Sequence, residues 1–303
     1  MTVEKTAELT GHGNPIFTLE LSQKPGILFT GGNDKGLVEW SLKTNSFIKV
    51  LFPVPSSIYA MHCPIGHPLL FTGLRNGDVL VFDFLKQLLL SPLKHHQKPV
   101  FDIKSINHKQ ELLVASEDGT VSIWSLKTMD HLLHTVNVSD DTIRCISISP
   151  DEKQVAFGCR NNQVKIYDLE DYTLIKTLHG HTMSVFSLQY SPSGNYLASG
   201  GRDAQVKIWD AKSFDLLHSI PAHLFAVNSI VFHPVLPYFA TGSMDKSIKI
   251  WGADDFKLYK IISREKGFAS HQLSINKLAW NGNQLISVSD DKRVIVWDIR
   301  FDD

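Results

Sequence analysis

Three side chains with the chemistry of a hydrolase triad lie close together in the middle of the sequence. His181 precedes Ser199 by 18 residues, and Asp203 follows that serine within the stretch "LASGGRDAQVKIWD". An imidazole, a hydroxyl and a carboxylate can act as general base, nucleophile and orienting group. The adjacent Gly200 and Gly201 could approach a phosphate through their backbone N–H groups. Taken alone, this stretch leaves a reactive loop and a structural role equally open.

The elements around these residues belong to a repeating pattern. An aromatic residue followed by a small or acidic one recurs at intervals of 42, 42, 43, 42, 42 and 46 residues. An Asp or Asn lies six residues before each aromatic and favours a tight turn. Alternating apolar residues after that turn, such as Val206 and Ile208, predict a strand, and apolar runs upstream predict further strands. The seven pairs are Trp40-Ser41, Phe82-Asp83, Trp124-Ser125, Tyr167-Asp168, Trp209-Asp210, Trp251-Gly252 and Trp297-Asp298.

The repeats resemble the WD-repeat family, whose units begin near Gly-His and end near Trp-Asp. Gly11-His12 and Gly180-His181 carry the full first motif, three further repeats keep only a histidine, and repeats two and four lack it. The resemblance implies an all-β fold, a seven-bladed β-propeller of four-stranded antiparallel blades around a central channel. It covers the chain, so we expect residues 1–303 to form a single domain.

Closure of such a ring can be predicted from the two ends of the sequence. Only six residues follow Trp297, too few for a fourth strand in the last blade. The segment "VEKTAEL" precedes Gly11-His12 as "YTLIKTL" precedes Gly180-His181. We therefore expect the N-terminal strand to complete the last blade.

The triad residues recur together with the tryptophan at matching spacings, whereas an enzyme needs only one active site. The resemblance implies that each set forms a hydrogen-bonded structural tetrad inside its blade. We expect Gly200-Gly201 to fall in a turn between strands, without a helix start to bind phosphate. We thus predict no catalytic, cofactor-binding or metal-binding residue. The tetrads are His12, Thr30, Asp34, Trp40; His181, Ser199, Asp203, Trp209; His223, Thr241, Asp245, Trp251; and His271, Ser287, Asp291, Trp297.

Charge and composition restrict the classes of partner. Thirty Lys plus Arg against 31 Asp plus Glu give a net charge of -1, so no overall field attracts nucleic acid or an anionic membrane. Cys63, Cys145 and Cys159 form neither a metal motif nor an even disulfide set, which favours a reducing compartment. The N-terminal stretch has no apolar signal segment. We expect a cytoplasmic protein that binds neither membrane nor, directly, nucleic acid.

The resemblance also implies that partners bind on the face where the channel opens. There, aromatic and arginine side chains would favour a protein interface, although packing between blades would equally explain any single aromatic. Arginines in blades two, four and five favour an acidic or phosphorylated segment. The inner-strand positions are Phe17, Tyr59, Phe101, Arg144, Phe186, Asn228 and Asn276. The positions before each turn Asp or Asn are Asn33, Arg75, Glu117, Arg160, Arg202, Met244 and Asp290.

The longest interval places six extra residues in the segment "SREKGFAS" before His271. We expect either a solvated insertion or a loop whose Phe268 folds over the channel rim. The predicted function is a non-enzymatic scaffold for protein–protein interaction. A structural subunit, marked by an apolar patch on the blade sides or lower face, is one alternative. A propeller enzyme, marked by polar groups unique to one blade, is another.

Overall fold

Seven antiparallel sheets of four strands make up the computed structural model, which describes residues 1–301. Blades 1 to 6 each use four consecutive strands, and blade 7 combines β26–β28 with β1. The strands are β1 Thr2–Thr10, β2 Ile16–Leu21, β3 Ile27–Gly32, β4 Gly36–Ser41, β5 Ser46–Pro53, β6 Ile58–His62, β7 Leu69–Leu74, β8 Val79–Asp83, β9 Leu88–Leu89, β10 Val100–Ile106, β11 Glu111–Ser116, β12 Thr120–Ser125, β13 Leu132–Asn137, β14 Ile143–Ile148, β15 Gln154–Cys159, β16 Val164–Asp168, β17 Leu174–Leu178, β18 Val185–Tyr190, β19 Tyr196–Gly201, β20 Gln205–Asp210, β21 Leu216–Pro221, β22 Val227–Phe232, β23 Tyr238–Ser243, β24 Ile248–Gly252, β25 Leu258–Ile262, β26 Ile275–Asn281, β27 Gln284–Ser289 and β28 Arg293–Arg300.

The Asp or Asn of each repeat lies in the tight turn between the second and third strands, as the sequence predicts. In blade 3 the Asp118 carboxylate accepts the Thr120 N–H at 2.9 Å. Gly119 between them has a φ of 86°, and a Cβ there would lie 2.1 Å from the Ser139 carbonyl oxygen. A left-handed conformation and a close backbone approach therefore require glycine at this position.

Neighbouring blades share their apolar cores. In the cluster between blades 6 and 7, Ile250 of β24 packs with Leu285 and Trp297 of the next blade, and all three are buried. Side chains of the inner strands also accept backbone N–H groups from the following blade. Ser187 Oγ accepts the Ile230 N–H at 2.7 Å, and Asp102 Oδ2 accepts the Ile146 N–H at 2.8 Å. Each blade is thus held by its neighbours as well as by its own sheet.

The ring closes by pairing of the two ends of the chain, which confirms the expectation from the sequence. β1 runs antiparallel to β28, with Thr2 opposite Arg300 and Thr10 opposite Arg293. At the inner edge, the Asn276 side chain of blade 7 donates to the Ile16 carbonyl of blade 1 at 2.8 Å. In the described residues, no helix is long and apolar enough to cross a membrane.

Candidate partner-binding face

All four predicted tetrads are present. In blade 5 the His181 Nδ1 lies 3.0 Å from the Asp203 carboxylate, and its Nε2 lies 2.8 Å from Ser199 Oγ. The Trp209 indole N–H donates to the same oxygen at 2.9 Å. Because the carboxylate only accepts, a neutral imidazole carries its proton on Nδ1, and the serine donates to Nε2. Each of these four side chains in blade 5 therefore has a hydrogen-bond partner.

The burial of the hydroxyl excludes the hydrolase interpretation of this triad. Ser199 is 0% exposed, so no substrate carbonyl can reach its Oγ. The hydroxyls of Thr30, Thr241 and Ser287 lie in residues that are equally inaccessible. The triad residues of the opening stretch are therefore scaffold, as their recurrence in the sequence predicts.

The tetrad of blade 6 also shifts the pKa values of its carboxylate and its imidazole. Burial raises the pKa of Asp245, but hydrogen bonds from His223 and Ser247 outweigh this effect and hold the pKa well below its usual range. Burial lowers the pKa of His223 despite the neighbouring carboxylate. Both shifts favour a neutral imidazole beside a charged carboxylate.

A fifth tetrad in blade 3 escapes the sequence pattern. His96 contacts Asp118 at 2.8 Å and the Ser122 hydroxyl at 2.9 Å, and Trp124 donates to that hydroxyl. In the other tetrads the hydroxyl comes from the second strand, ten residues before the tryptophan, where blade 3 has a valine. Ser122, two residues before the tryptophan on the third strand, supplies it here. A search for any hydroxyl able to face the His–Trp pair would have found this residue.

In the described residues, blades 2 and 4 lack a tetrad. In blade 2 the Thr72 hydroxyl occupies the tetrad position, but it is buried and has no hydrogen-bond partner in the described residues. In blade 4 the position holds Phe157, whose ring packs edge-on against Tyr167 at 5.5 Å. Blade 2 therefore keeps a buried polar group that its neighbours no longer satisfy.

The inner-strand residues predicted for the rim all line the central channel, a cavity of about 630 Å³. Five of them form a continuous row over blades 1 to 5. The ring of Tyr59 lies 5.4 Å from those of both Phe17 and Phe101. The Arg144 guanidinium lies 4.3 Å from the centre of the Phe101 ring and 5.7 Å from that of Phe186. The aromatics thus pack between blades and still face the cavity.

Asn228 and Asn276 complete the channel lining in blades 6 and 7 by joining neighbouring blades. The Asn228 amide donates to Ser274 Oγ of blade 7 at 3.0 Å. The Asn276 amide donates to the Ile16 carbonyl of blade 1 at 2.8 Å and to Asp290 Oδ1 of its own blade at 2.7 Å. These amide donors are already engaged within the ring.

The predicted turn positions lie on the same face as the starts of the inner strands. For example, the Arg202 N–H donates to the Ser184 carbonyl at 2.8 Å, immediately before β18. Arg75, Arg160 and Arg202 are exposed, and Arg160 lies 3.8 Å from the Asp141 carboxylate. Glu117 at the turn of blade 3 separates these arginines into two groups, so the cationic surface is not continuous.

Phe268 lies away from the expected position over the rim. Its ring packs edge-on against Trp297 at 6.3 Å, below the Lys260 ammonium at 5.8 Å, and it does not line the channel. The inserted segment includes a short 3-10 helix, Arg264–Lys266. The ring packs in the apolar cleft beside Trp297 because burial there removes more apolar surface from water than a position over the open rim would.

The channel also contains charged side chains that the repeat pattern did not predict. Glu20 accepts the Cys63 N–H at 3.0 Å and lies 3.4 Å from His62. Asp102 lies 3.5 Å from the Lys104 ammonium. Burial alone would raise the pKa of Asp102, but nearby ammonium groups and backbone N–H donors lower it by more than burial raises it. The carboxylate therefore stays charged.

The ring of blades and their tetrads define a seven-bladed WD-type propeller. The family model described as "WD domain, G-beta repeat" matches residues 87–125, 130–168, 172–210, 214–252 and 263–298, more than half of the chain. The chain therefore belongs to the WD-repeat family. Blade 1 and the first three strands of blade 2 lie outside the matched residues, although the structure gives both blades the same strand order.

Several curated proteins are similar to parts of the chain. U3 small nucleolar RNA-associated protein 12 of Saccharomyces cerevisiae is 27% identical over 202 residues, which cover 60% of this chain and 21% of that protein. Myosin heavy chain kinase C of Dictyostelium discoideum is 27% identical over 128 residues, 42% of this chain and 16% of that protein. Pre-mRNA-processing factor 19 of Bos taurus is 26% identical over 180 residues, 45% and 36% respectively. The chain thus spans well under half the length of each.

Proposed function

We propose that this propeller is a non-enzymatic scaffold that binds a protein or peptide segment on its channel-mouth face. The observation that carries the proposal is the row of Phe17, Tyr59, Phe101, Arg144 and Phe186. Aromatic and arginine side chains contribute most of the binding energy in many protein interfaces. Their mutual packing holds them in place before a partner arrives, which lowers the entropic cost of binding.

The chemistry of this mouth favours an acidic or phosphorylated segment. Arg144 lies against two phenylalanine rings, and its buried Nε has no hydrogen-bond partner in the described residues. Burial lowers the pKa of Arg144, but a guanidinium stays charged at neutral pH. A carboxylate or phosphate could accept its N–H groups and those of the exposed Arg75 and Arg202.

The recurrence of the polar groups supports a binding role over an enzymatic one. The His–hydroxyl–Asp sets repeat in five blades, and their hydroxyls are buried. The three cysteines are buried as well, and burial raises the pKa of Cys159 to about 11, so its thiol stays protonated. One similar protein is named a kinase, but this chain corresponds to 16% of it.

A structural role in a larger assembly is the second candidate, because the outer edge of blade 1 carries exposed apolar residues. On β5, Phe47 is 53% exposed and Val50 is 51% exposed. A long apolar edge strand can pair with another chain. In this case Phe47→Ser with Val50→Ser would release a partner that the channel-mouth variants retain.

The compartment also belongs to the proposal. The sequence predicts the cytoplasm, whereas two of the similar proteins carry names that refer to small nucleolar RNA and to pre-mRNA processing. The location of a fluorescent fusion of the full chain will decide between cytoplasm and nucleus.

The test compares partners recovered with two charge-reversed variants. Arg75→Glu with Arg202→Glu alters the channel-mouth face, and Lys127→Glu with Lys212→Glu alters exposed lysines on the opposite face. Quantitative mass spectrometry after affinity purification should show partners that the first pair loses and the second retains. An unchanged set of partners in the first variant would refute binding at the mouth.

A further inference from the structure

Five large apolar side chains are exposed on the channel-mouth face of blades 5 to 7. Leu224 is 84% exposed, Phe225 57% and Met244 55%, all in blade 6. Met183 in blade 5 and Leu273 in blade 7 are 43% and 47% exposed. Together these five residues form the apolar arc. Several large apolar side chains exposed on one face commonly mark an interaction site.

The arc is specific to one sector of the ring. Met183, Phe225 and Leu273 each lie two residues after a tetrad histidine and three before a channel-lining residue. The corresponding residues after His12 and His96 are Asn14 and Lys98. Equivalent positions are therefore apolar in three consecutive blades and polar in blades 1 and 3. Three residues of extended chain span about 10 Å, so one ligand can contact both the arc and the channel lining.

Hydrogen bonds to the backbone hold the arc residues of blade 6 in place. The Leu224 N–H donates to Asp245 Oδ2 at 3.0 Å, and the Met244 N–H donates to the Ala226 carbonyl at 3.0 Å. The Ser243 hydroxyl donates to the Phe225 carbonyl at 3.2 Å. The exposed side chains thus project from anchored loops, and little backbone entropy is lost when a partner binds.

Cationic side chains surround the arc. Within residues 1–301 none of these cations makes an ion pair. One exposed carboxylate, that of Glu265, lies beside Arg264 and Lys266 in the segment inserted before His271. These exposed cations are Arg202, Lys246, Arg264, Lys266 and Lys292. A partner that neutralises them must carry several carboxylates close to its apolar groups.

We infer that the apolar arc binds a segment of a partner protein in which Leu- or Phe-type side chains are flanked by Asp or Glu. This inference rests on the proposed function and names the sector and the partner chemistry. An anionic membrane would match the same charges, but it is flat. It would leave the 630 Å³ channel beside the arc empty, whereas a side chain of a protein segment can enter that cavity.

The probe for this inference is a display library of random 16-residue peptides, selected against the full chain. Peptides that are enriched should combine Leu or Phe with Asp or Glu. Their affinity should fall at least tenfold for Leu224→Ser and for Lys246→Glu. The matched control is Val235→Ser, because Val235 is 85% exposed in the same blade but lies at the opposite end, between β22 and β23. It should bind as the unaltered chain does.

Each other outcome overturns a defined part of this inference. If Arg144→Ala lowers the affinity of the selected peptides and Leu224→Ser does not, the apolar arc is refuted as their binding site and the proposed function stands. Peptides insensitive to both variants, or no enrichment at all, would refute both. If the chain binds phosphatidylserine vesicles but no peptide, and Leu224→Ser abolishes the vesicle binding, the ligand of the arc is a membrane and not a protein segment.

Discussion

The hydroxyl of Ser199 shows how residue types suited to catalysis become structural when they are buried. Its neighbours His181 and Trp209 satisfy it from two sides, and Asp203 satisfies the far side of the imidazole. Removing one member leaves the others without partners in a buried setting. Such groups cost more free energy than the hydrogen bond itself contributes.

At this scale we predict that Asp203→Ala and Asp245→Ala each lower the free energy of unfolding by about 1–3 kcal/mol. Denaturation with urea measures the change. Asp215→Ala is the control, because Asp215 is exposed in blade 5 outside the tetrad. Unchanged unfolding of both tetrad variants would contradict the structural role.

The unsatisfied Thr72 leads to the opposite prediction. Thr72→Val should raise the free energy of unfolding by about 1 kcal/mol, because it removes a buried hydroxyl without a partner and keeps the shape. Thr241→Val, at the same position of blade 6, should lower it by about 1–3 kcal/mol because His223 and Trp251 both contact that hydroxyl. If the two substitutions changed the free energy of unfolding equally, the difference in hydrogen bonding between the two blades would not contribute to stability.

The elements follow the repeat closely, except for the inserted segment before blade 7. Its length and its surface position could be predicted from the spacing of tryptophan and histidine. The direction of Phe268 could not, because the ring can enter either the channel mouth or the cleft beside Trp297, and the choice depends on tertiary packing.

We predict that Phe268→Ala lowers the free energy of unfolding by about 1–2 kcal/mol, since the ring is half-buried in the core of blade 7. It should leave peptide affinity unchanged. Phe225→Ala, the matched control on the apolar arc, should change stability by less than about 0.5 kcal/mol and weaken peptide binding. If Phe268→Ala weakened peptide binding instead, the result would support the lid that the sequence led us to expect.

The whole ring depends on pairing between residues that are almost 300 positions apart. The β1 strand covers one edge of β28 along eight matched positions, and Arg293 adds a contact to Glu8 at 3.3 Å. Without β1, the N–H and C=O groups of β28 would form an exposed edge.

Deletion of residues 1–10 should therefore lower the melting temperature and cause self-association. Light scattering after size-exclusion chromatography measures the second effect. A synthetic peptide of residues 1–11 added in excess should restore the monomer, because it can occupy the vacant edge. A truncated chain that stays monomeric with unchanged melting would disprove this role of β1.

The sequence by itself determined the repeat number, the turns and the closing strand, which depend on local periodicity, turn residues and regular spacing. The strand order and four of the five tetrads followed from the resemblance to the WD-repeat family that these motifs carry. Tertiary structure alone decided that Ser122 completes the fifth tetrad, that Thr72 has no partner, and that Phe268 packs on Trp297. It also brought the aromatic row and the apolar arc to one face. These features depend on contacts between strands and blades distant in sequence, where side-chain direction and burial follow from packing rather than from residue type.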